Sequence, residues 1–523
     1  MNYEHNDDYQ YNSCIARGIC SINPRNSALQ TVLVLYLRLF AKFAINQEID
    51  EKTKKFILNT IATTIYNLDF NESSFLYAIK IFQQKLPLLI KEYVESSSES
   101  ELKIEEEKAQ RLFKETPNTV QSIRFGEKVL NEGVKNIPYE IRDLYNIILV
   151  IVKSISINLL DLESFDKSYS EGFKTILNLL SEINLKDYDK DKLINNIVEA
   201  ANVDVKVMYL LREAQEERYG IQYQNEVSFT TTPNKAVLAV GGNIRELENI
   251  LEAFKDSDID IYTHDEMMMA HTFPKFASYK NLKGQFGQGI ENCLIDFATF
   301  PGPIILTKHS LHNVENLYRG LLFTTDYMTA PKGVIKISDN DFSEVIVSAQ
   351  AAKGFKTGKI CETITVGIDY EKTLESINET IKNNAFKKVF VIGLDNYSIE
   401  QKSYFEKILR LASKDTLIIS FSYYQEAENI MHFNTCYDNF LWLKFCEFLE
   451  KFNLPIKVFI PKCESSTISQ MIFLSQKNNV EIYMGICTPI LLNPSLISTM
   501  QVNFLIKQIT NAKKDLEEIY KDK

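Results

Sequence analysis

The residues most capable of chemistry in this chain are cysteines, glutamates and histidines that lie far apart in the sequence. None of the eight cysteines forms a CxxC pair, and none has the spacing of a zinc finger. A scattered cysteine in a reducing compartment is usually a small buried hydrophobic residue. We expect this of Cys293, Cys361 and Cys446. The remaining cysteines are Cys14, Cys20, Cys436, Cys463 and Cys487.

Several side chains with ligating atoms follow directly after short apolar runs in the second half of the chain. Such runs of Val, Ile and Phe predict buried strands of parallel sheets, which bind ligands beyond the carboxyl ends of their strands. The residues expected at those ends are His264, Asp265, Glu266, Lys308, His309, Ser310, Leu394, Asp395, Ser422, Tyr423, Cys463 and Glu464. Cys436 lies in a turn just before a further helix.

A simple metal site is one interpretation of this set, because glutamate, cysteine and histidine side chains together bind iron or zinc ions. The members of such a site would be Glu266, Cys436 and Glu464 with His264, His271 or His309. Alternatively, both glutamates form hydrogen bonds or pair with lysines inside a closed pocket. Gly241 and Gly242 follow a predicted strand, but the full GxGxxG of a dinucleotide site is missing, so nucleotide binding is not expected.

The elements that must position these residues change character near residue 233. Up to there the sequence has helical periodicity and few glycines or prolines. Beyond it, apolar strands alternate with helices in three strand–helix–strand units, and the runs at 302–307 and 359–369 add further strands. The sequence therefore predicts an α + α/β fold, in which a helical N-terminal domain precedes two Rossmann-like parallel-sheet domains. The predicted domains are 1–232 (two helical bundles with a charged hinge near 95–108), 233–367 and 368–523.

The helical boundaries follow from the same periodicity. The predicted helices cover 26–45, 52–68, 72–94, 100–114, 119–133, 138–160, 169–183 and 190–217.

Composition excludes several classes of partner. The net charge is −11 and no basic stripe exists, so neither nucleic acid nor an anionic membrane surface is an expected partner. The apolar runs 31–40 and 145–152 are interrupted or closed by Arg38, Lys42 and Lys153, which leaves them too short to span a bilayer. The polar N-terminus lacks the pattern of a secretory signal, so we expect a cytoplasmic protein.

The second half also contains strings that resemble the hybrid-cluster protein (prismane, hydroxylamine reductase) family, which shares its architecture with carbon monoxide dehydrogenases. The strings keep the family's order along the chain. They are IYTHDEMMMAH (261–271), FPGPIILT (300–307), FTTDYMTAPKGVIKI (323–337), ITVGID (364–369), VFVIGLDN (389–396), SKDTLIISFSYY (413–424), FNTCYDN (433–439) and VFIPKCESS (458–466).

The resemblance implies a hybrid iron–sulfur–oxygen cluster bound by one histidine, two glutamates and four cysteines. Such a cluster needs several thiolates together with harder nitrogen and oxygen ligands. Three of these positions carry a matching ligand here, and they are Glu266, Cys436 and Glu464. The histidine position is Gly242, and three cysteine positions are Ser310, Leu394 and Tyr423. A family lysine position near the last glutamate is Ser466, and Cys463 is not expected to substitute because strand neighbours point to opposite faces.

The resemblance also implies an N-terminal cubane cluster bound by four cysteines. The last two fall on Cys14 and Cys20, while the first two fall within 2–6, where His5 is the only candidate ligand. We interpret Cys14 and Cys20 as free thiols that bind no metal. Alternatives are a [4Fe-4S] cluster shared across a dimer, as in carbon monoxide dehydrogenases, a disulfide, or another metal.

Two functions from different classes follow. The first is a degenerate homologue without an intact hybrid cluster, which is non-catalytic and has a structural, assembly or regulatory role. The alternative is an iron–sulfur oxidoreductase that reduces hydroxylamine or nitric oxide with an altered cluster. A homo-oligomer is compatible with both, and the sequence names no protein partner.

Overall fold

The structure is a computed structural model of the 523-residue chain. It describes residues 24–66, 72–96, 99–132, 136–183, 188–287, 293–308, 310, 321–325, 328–393, 399–421, 425–435, 438, 440–463, 465–487 and 494–521. The chain forms two compact units. The first comprises residues 1–209, 327–331 and 488–499, and the second comprises 210–326, 332–487 and 500–523.

The first unit is helical. Its helices are α1 (Pro24–Ala44), α2 (Glu51–Thr64), α3 (Glu72–Ser96), α4 (Glu99–Glu115), α5 (Thr119–Glu132), α6 (Tyr139–Glu163), α7 (Ser170–Glu182) and most of α8 (Lys190–Tyr219). Asp50 begins α2 as its N-cap, with its side chain accepting a hydrogen bond from the Thr53 backbone N–H at 2.9 Å. These boundaries agree closely with the helical periodicity of the sequence.

Helices α1 and α6 form much of the core of this unit. Leu29, Leu33 and Leu37 of α1 are fully buried, and Ile151 and Ile155 of α6 are equally buried. Both helices are long and apolar enough to cross a membrane, but 72% and 78% of their most apolar windows are buried inside the fold. Burial of this extent is typical of core helices.

The second unit contains two parallel six-stranded sheets. The middle sheet has the order β4–β3–β2–β5–β6–β7, and the C-terminal sheet has the order β11–β10–β9–β12–β13–β14. The middle sheet comprises β2 (Lys235–Val240), β3 (Ile259–His264), β4 (Leu282–Gln285), β5 (Ile304–Leu306), β6 (Leu322–Thr324) and β7 (Ile335–Lys336). The C-terminal sheet comprises β9 (Lys388–Ile392), β10 (Thr416–Ser420), β11 (Ile430–His432), β12 (Ile456–Cys463), β13 (Val480–Cys487) and β14 (Ile506–Gln508).

Helices connect the strands of both sheets. They are α9 (Ile244–Phe254), α10 (Cys293–Thr299), α11 (Ser343–Ala351), α12 (Tyr370–Asn383), α13 (Ile399–Leu411), α14 (Leu441–Leu449), α15 (Ser465–Ser475), α16 (Pro494–Phe504) and α17 (Ala512–Lys521). Central strands such as β2 and β10 are buried along almost their whole length, as near-continuous apolar runs require. The predicted fold class, helical first and parallel α/β afterwards, is confirmed.

One predicted strand belongs to neither parallel sheet. Strand β8 (Thr363–Val366), within the run 359–369, pairs antiparallel with β1 (Asn225–Ser228) to form a separate two-stranded sheet. Its burial alternates only weakly, and three of its four residues remain at least partly exposed, which fits a small surface sheet rather than a buried parallel strand.

Candidate functional site

The candidate site begins where β2 ends, at a turn of two glycines. Gly241 has φ +121°, a backbone conformation that residues with side chains rarely adopt. A Cβ on Gly241 would lie 2.4 Å from Thr307 Oγ1 and 2.6 Å from Ser310 Oγ. Asn243 then begins α9 as its N-cap, accepting a hydrogen bond from the Glu246 backbone N–H at 3.0 Å. The turn therefore brings β2 against the segment that follows β5.

The other side of the same turn contacts Glu266. A Cβ on Gly242 would lie 2.8 Å from Glu266 Oε2. Glu266 follows Asp265, which has a left-handed backbone with φ +61°, an unusual conformation for a non-glycine residue. Gly242, Glu266 and Ser310 thus lie around one turn at the carboxyl edge of the middle sheet, although 68 residues separate the first from the last along the chain.

The Ser310 hydroxyl is held by the backbone. It is buried, and its Oγ lies 3.1 Å from the carbonyl oxygen of Val240 and within hydrogen-bond distance of that of Thr307. The Thr307 hydroxyl donates to the Val240 carbonyl oxygen at 2.8 Å. Ser310 therefore serves as a hydrogen-bond donor that joins β2 to the segment after β5.

Glu246, on the first turn of α9, links this helix to the segments that follow β5 and β6. Its Oε2 accepts hydrogen bonds from the Lys308 backbone N–H at 2.9 Å and from Thr325 Oγ1 at 2.5 Å. Its Oε1 pairs with Lys308 Nζ at 2.9 Å. Sequence reasoning missed this buried carboxylate, because a glutamate in the first turn of a helix is common and gives no sign of its distant partners.

The two described histidines near the site already have hydrogen-bond partners. His264 Nε2 lies 3.0 Å from Asp296 Oδ2, and the fully buried ring packs edge-on against Phe297. Its Nδ1 has no hydrogen-bond partner among the described residues. His271 Nε2 lies 2.8 Å from Thr263 Oγ1. Burial lowers the pKa of His271 to about 4, so this ring is neutral near pH 7.

A buried ion pair that the sequence did not indicate involves Asp438, which is two residues after Cys436 in the sequence. Arg212 of α8 donates from Nη2 to Asp438 Oδ1 at 2.6 Å, and both side chains are almost fully buried. Asp438 Oδ1 also accepts from the backbone N–H of Phe440 at 3.1 Å. Because Arg212 lies on a predicted helix with no other distinguishing feature, only the tertiary structure reveals this contact.

The three cysteines that were expected to be buried differ in their surroundings. Cys446 of α14 is fully buried, and burial raises the pKa of its thiol. Cys293 and Cys361 are only half-buried, which corrects the expectation. Cys293 is the first residue of the short helix α10, and Cys361 precedes the small surface sheet, so neither lies in the centre of a core.

The remaining predicted site residues lie outside the described part of the chain. They are Cys14, Cys20, His5, His309, Leu394, Asp395, Ser422, Tyr423, Cys436 and Glu464. Cys463 is the last residue of β12, and the strand register places it opposite Cys487 of β13. Among the described residues, no group of three or more His, Cys, Asp or Glu side chains is arranged to hold a metal ion.

Comparison with known proteins agrees with this architecture. Residues 10–422 match the sequence profile of the Prismane/CO dehydrogenase family. The chain belongs to this family. Similar proteins include the hydroxylamine reductase of Acidiphilium cryptum, 26% identical over 535 residues that cover 96% of this chain and 95% of the relative. The hydroxylamine reductase of Thermodesulfovibrio yellowstonii is 24% identical, over 97% of this chain and 98% of its own length.

Among solved structures, carbon monoxide dehydrogenase IV from Carboxydothermus hydrogenoformans is similar to this chain with a TM-score of 0.50. The alignment covers 96% of this chain and 88% of the dehydrogenase, at 12% sequence identity. At that identity the likeness shows a shared fold and nothing about the reaction.

This Prismane/CO dehydrogenase family member lacks a fitting site for the hybrid cluster that the resemblance implied, as far as the described ligand positions show. Of the three cluster positions described, only Glu266 has a side chain that ligates iron. Gly242 offers no ligand, and the place where its side chain would begin is crowded by the Glu266 carboxylate. Ser310 has a hydroxyl in place of a thiolate, and that hydroxyl is hydrogen-bonded to the backbone.

Proposed function

We propose that this protein retains the scaffold of a hydroxylamine reductase without the hybrid cluster and has a non-catalytic structural, assembly or regulatory role. The contact between Gly242 and Glu266 carries the proposal. Where the resemblance places a histidine ligand there is no side chain, and a Cβ would be 2.8 Å from the carboxylate oxygen of the neighbouring ligand position.

Chemistry supports the same conclusion. Reducing an N–O bond with this kind of centre requires several irons with an open coordination site, and several irons require several thiolates. The sequence has Ser310, Leu394 and Tyr423 at three of the four implied cysteine positions. Leucine cannot ligate iron at all. The donor set that remains, Glu266, Cys436 and Glu464, contains a single thiolate.

The proposal extends to the setting of the protein. With a net charge of −11 and no basic stripe, its partners are other proteins or a second copy of this chain rather than nucleic acid or a membrane surface. Its cysteines remain reduced, as expected for a cytoplasmic protein.

A second function, an iron–sulfur oxidoreductase that acts on hydroxylamine or nitric oxide with an altered cluster, is favoured by the comparisons. The similar curated relatives are hydroxylamine reductases, and the match extends over nearly their whole length. On this proposal Glu266, Cys436 and Glu464 ligate the altered centre. Cys14 and Cys20 from two chains would share a [4Fe-4S] cluster. The relatives' names support this second function more directly than the first, whereas the missing donors support the first.

The deciding measurement is iron and acid-labile sulfide per chain on protein purified without oxygen. The first function predicts a colourless protein with almost no iron. About two irons per chain would indicate a cubane shared across a dimer through Cys14 and Cys20. That iron should then disappear in Cys14→Ala/Cys20→Ala, whereas Cys361→Ala is a matched control that should leave it unchanged.

A rate measurement completes the test. Six or more irons per chain, roughly the content of a cubane plus a hybrid cluster, would overturn the first function. Hydroxylamine-dependent oxidation of a chemical electron donor that disappears in Cys436→Ala would overturn it as well. If such activity instead persisted in Cys436→Ala, the assignment of Cys436 as a ligand would be wrong.

A further inference from the structure

The Arg212 side chain lies between Phe273 on one side and Asp438 and Phe440 on the other. Its side chain is only 7% exposed, and that of its partner Asp438 is 2% exposed. Asp438 and Phe440 follow Cys436 in the chain. The Arg212 guanidinium carbon lies 5.3 Å from the centre of the Phe440 ring. One side of the contact is therefore formed by Asp438 and Phe440.

The same guanidinium also contacts the segment of Glu266. Its carbon lies 5.8 Å from the centre of the Phe273 ring, within the range of a cation–π interaction. Phe273 is fully buried and directly follows the 3-10 helix Asp265–Thr272, which contains Glu266. The backbone N–H of Phe273 donates to the Ala270 carbonyl oxygen at 3.1 Å, which joins the Phe273 main chain to the end of that short helix.

The buried Arg212–Asp438 ion pair contributes little net stability, because several of its polar atoms are desolvated without a hydrogen bond. Arg212 Nε and Nη1, Asp438 Oδ2 and Thr435 Oγ1 are buried and have no hydrogen-bond partner among the described residues. Desolvation of a buried pair that is incompletely hydrogen-bonded offsets much of its attraction, and apolar replacements of similar size are often as stable or more stable. In some proteins such a pair is retained because it specifies one arrangement of the segments that it joins.

We propose that Arg212 is the positioning residue that fixes Asp438 and Phe440 relative to the short helix that contains Glu266, in place of a metal cluster. The proposal rests on the proposed scaffold function. In a cluster-bearing relative, iron bonded to ligands on both sides would impose this arrangement. Here a guanidinium from α8 does so, through the Asp438 carboxylate and the Phe440 ring on one side and the Phe273 ring on the other.

Hydrogen exchange of the full-length protein tests the assignment, with Arg212→Met/Asp438→Leu as the main variant. We expect a thermal midpoint equal to or above that of the wild type, since no buried charge is left unpaired. We also expect amide exchange to be about tenfold faster in both 265–273 and 433–440, because the contacts of Arg212 no longer connect them. Lys457→Met/Glu481→Gln removes an ion pair in the C-terminal sheet between a buried lysine and a partly exposed glutamate, and it is the control that should leave exchange in both segments unchanged.

Arg212→Lys provides a second variant that retains the charge. Because an ammonium group lacks the planar fork and stacks poorly on two rings, exchange should accelerate in both segments here as well. The assignment is overturned if 265–273 exchanges at the wild-type rate in both variants, since Arg212 would then only neutralise Asp438. Iron content is measured on the same samples. Roughly six or more irons per chain would refute the scaffold function, and this result is distinguishable from unchanged exchange in iron-poor protein, which would refute only the role of Arg212.

Discussion

Glu266 and Gly242 are in direct contact at the carboxyl edge of the middle sheet, where a Cβ on Gly242 would lie 2.8 Å from Glu266 Oε2. The carboxylate thus crowds the point from which a side chain at position 242 would extend. The backbone of Gly242 is outside the left-handed region, so an alanine there is compatible with the main chain. Only the flexible end of Glu266 would have to move.

Gly242→Ala should therefore displace the Glu266 carboxylate at small cost. We expect a loss of less than about 1.5 kcal/mol in the free energy of unfolding, the scale of an off-rotamer side chain. In Gly242→Ala/Glu266→Ala the crowding is absent, so the double variant should lose less than the sum of the single losses. Urea unfolding of the four proteins measures the coupling, and additive losses would show that the two residues do not interact.

Ser310→Cys should not recruit iron and should destabilise the protein. The hydroxyl donates to a buried backbone carbonyl, whereas a thiol is larger and a weaker donor. We expect a loss of about 1 kcal/mol for Ser310→Ala, and at least as much for Ser310→Cys. Ser278→Ala, which removes an exposed hydroxyl that donates to the Lys275 carbonyl oxygen at 2.7 Å, is the control and should cost much less. A stable, iron-containing Ser310→Cys protein would contradict this account.

Asp143 should make the stability depend on pH. It is buried on α6, and its Oδ2 accepts a hydrogen bond from Thr499 Oγ1 at 3.2 Å. Burial raises the pKa of Asp143 from 3.8 to about 6, although hydrogen bonds from Ser495 and Thr499 act in the opposite direction. Between those two values the folded protein binds a proton that the unfolded chain releases, so stability falls as the pH rises from about 4 to 6.

Asp143→Asn should remove this slope and raise the stability at pH 7 by up to about 3 kcal/mol, the free-energy equivalent of the shift. Urea unfolding at several pH values between 4 and 7 measures it. The exposed Asp191, changed to Asn, should retain the wild-type slope. If Asp143→Asn is less stable than the wild type at pH 7, the carboxylate is not destabilised by burial.

Glu248 should have the opposite pH dependence. Its Oε2 accepts from Arg218 Nε at 2.6 Å and from Tyr219 OH at 3.0 Å, and its Oε1 pairs with Lys275. Burial raises the pKa of Glu248, but the hydrogen bonds from Arg218, Lys275 and Tyr219 outweigh it and lower the pKa from 4.5 to about 2. The stability that this carboxylate contributes is present above about pH 4.5 and is lost as the pH falls toward 2.

Glu248→Gln should therefore cost about 3 kcal/mol at pH 7, as estimated from the same shift. Glu252→Gln, one helical turn further along α9, is the matched control. Its carboxylate pairs with Lys255 at the exposed surface, so its loss should be much smaller. Equal losses for the two variants, measured by urea unfolding, would show that burial of Glu248 adds nothing.

The long helices and central strands were predictable because their signals are local. The periodicity over 119–133 gave the position of α5 to within one residue, and the apolar run at 235–240 corresponds to β2. The sequence missed short strands such as β7 and β14, whose two or three residues are too few to form a pattern. The resemblance named Glu266, Gly242 and Ser310, but it could not say whether these positions meet.

The sequence by itself determined the order of helices and strands, the fold class and the types of side chain present at the implied ligand positions. Only the tertiary structure decided which of those side chains meet. Arg212 and Asp438 are 226 residues apart, and the contact between Gly242 and Glu266 depends on β2 and β3 being neighbours in register. Periodicity reports which face of an element is apolar, whereas contacts between distant segments depend on strand order and packing, which no local pattern encodes.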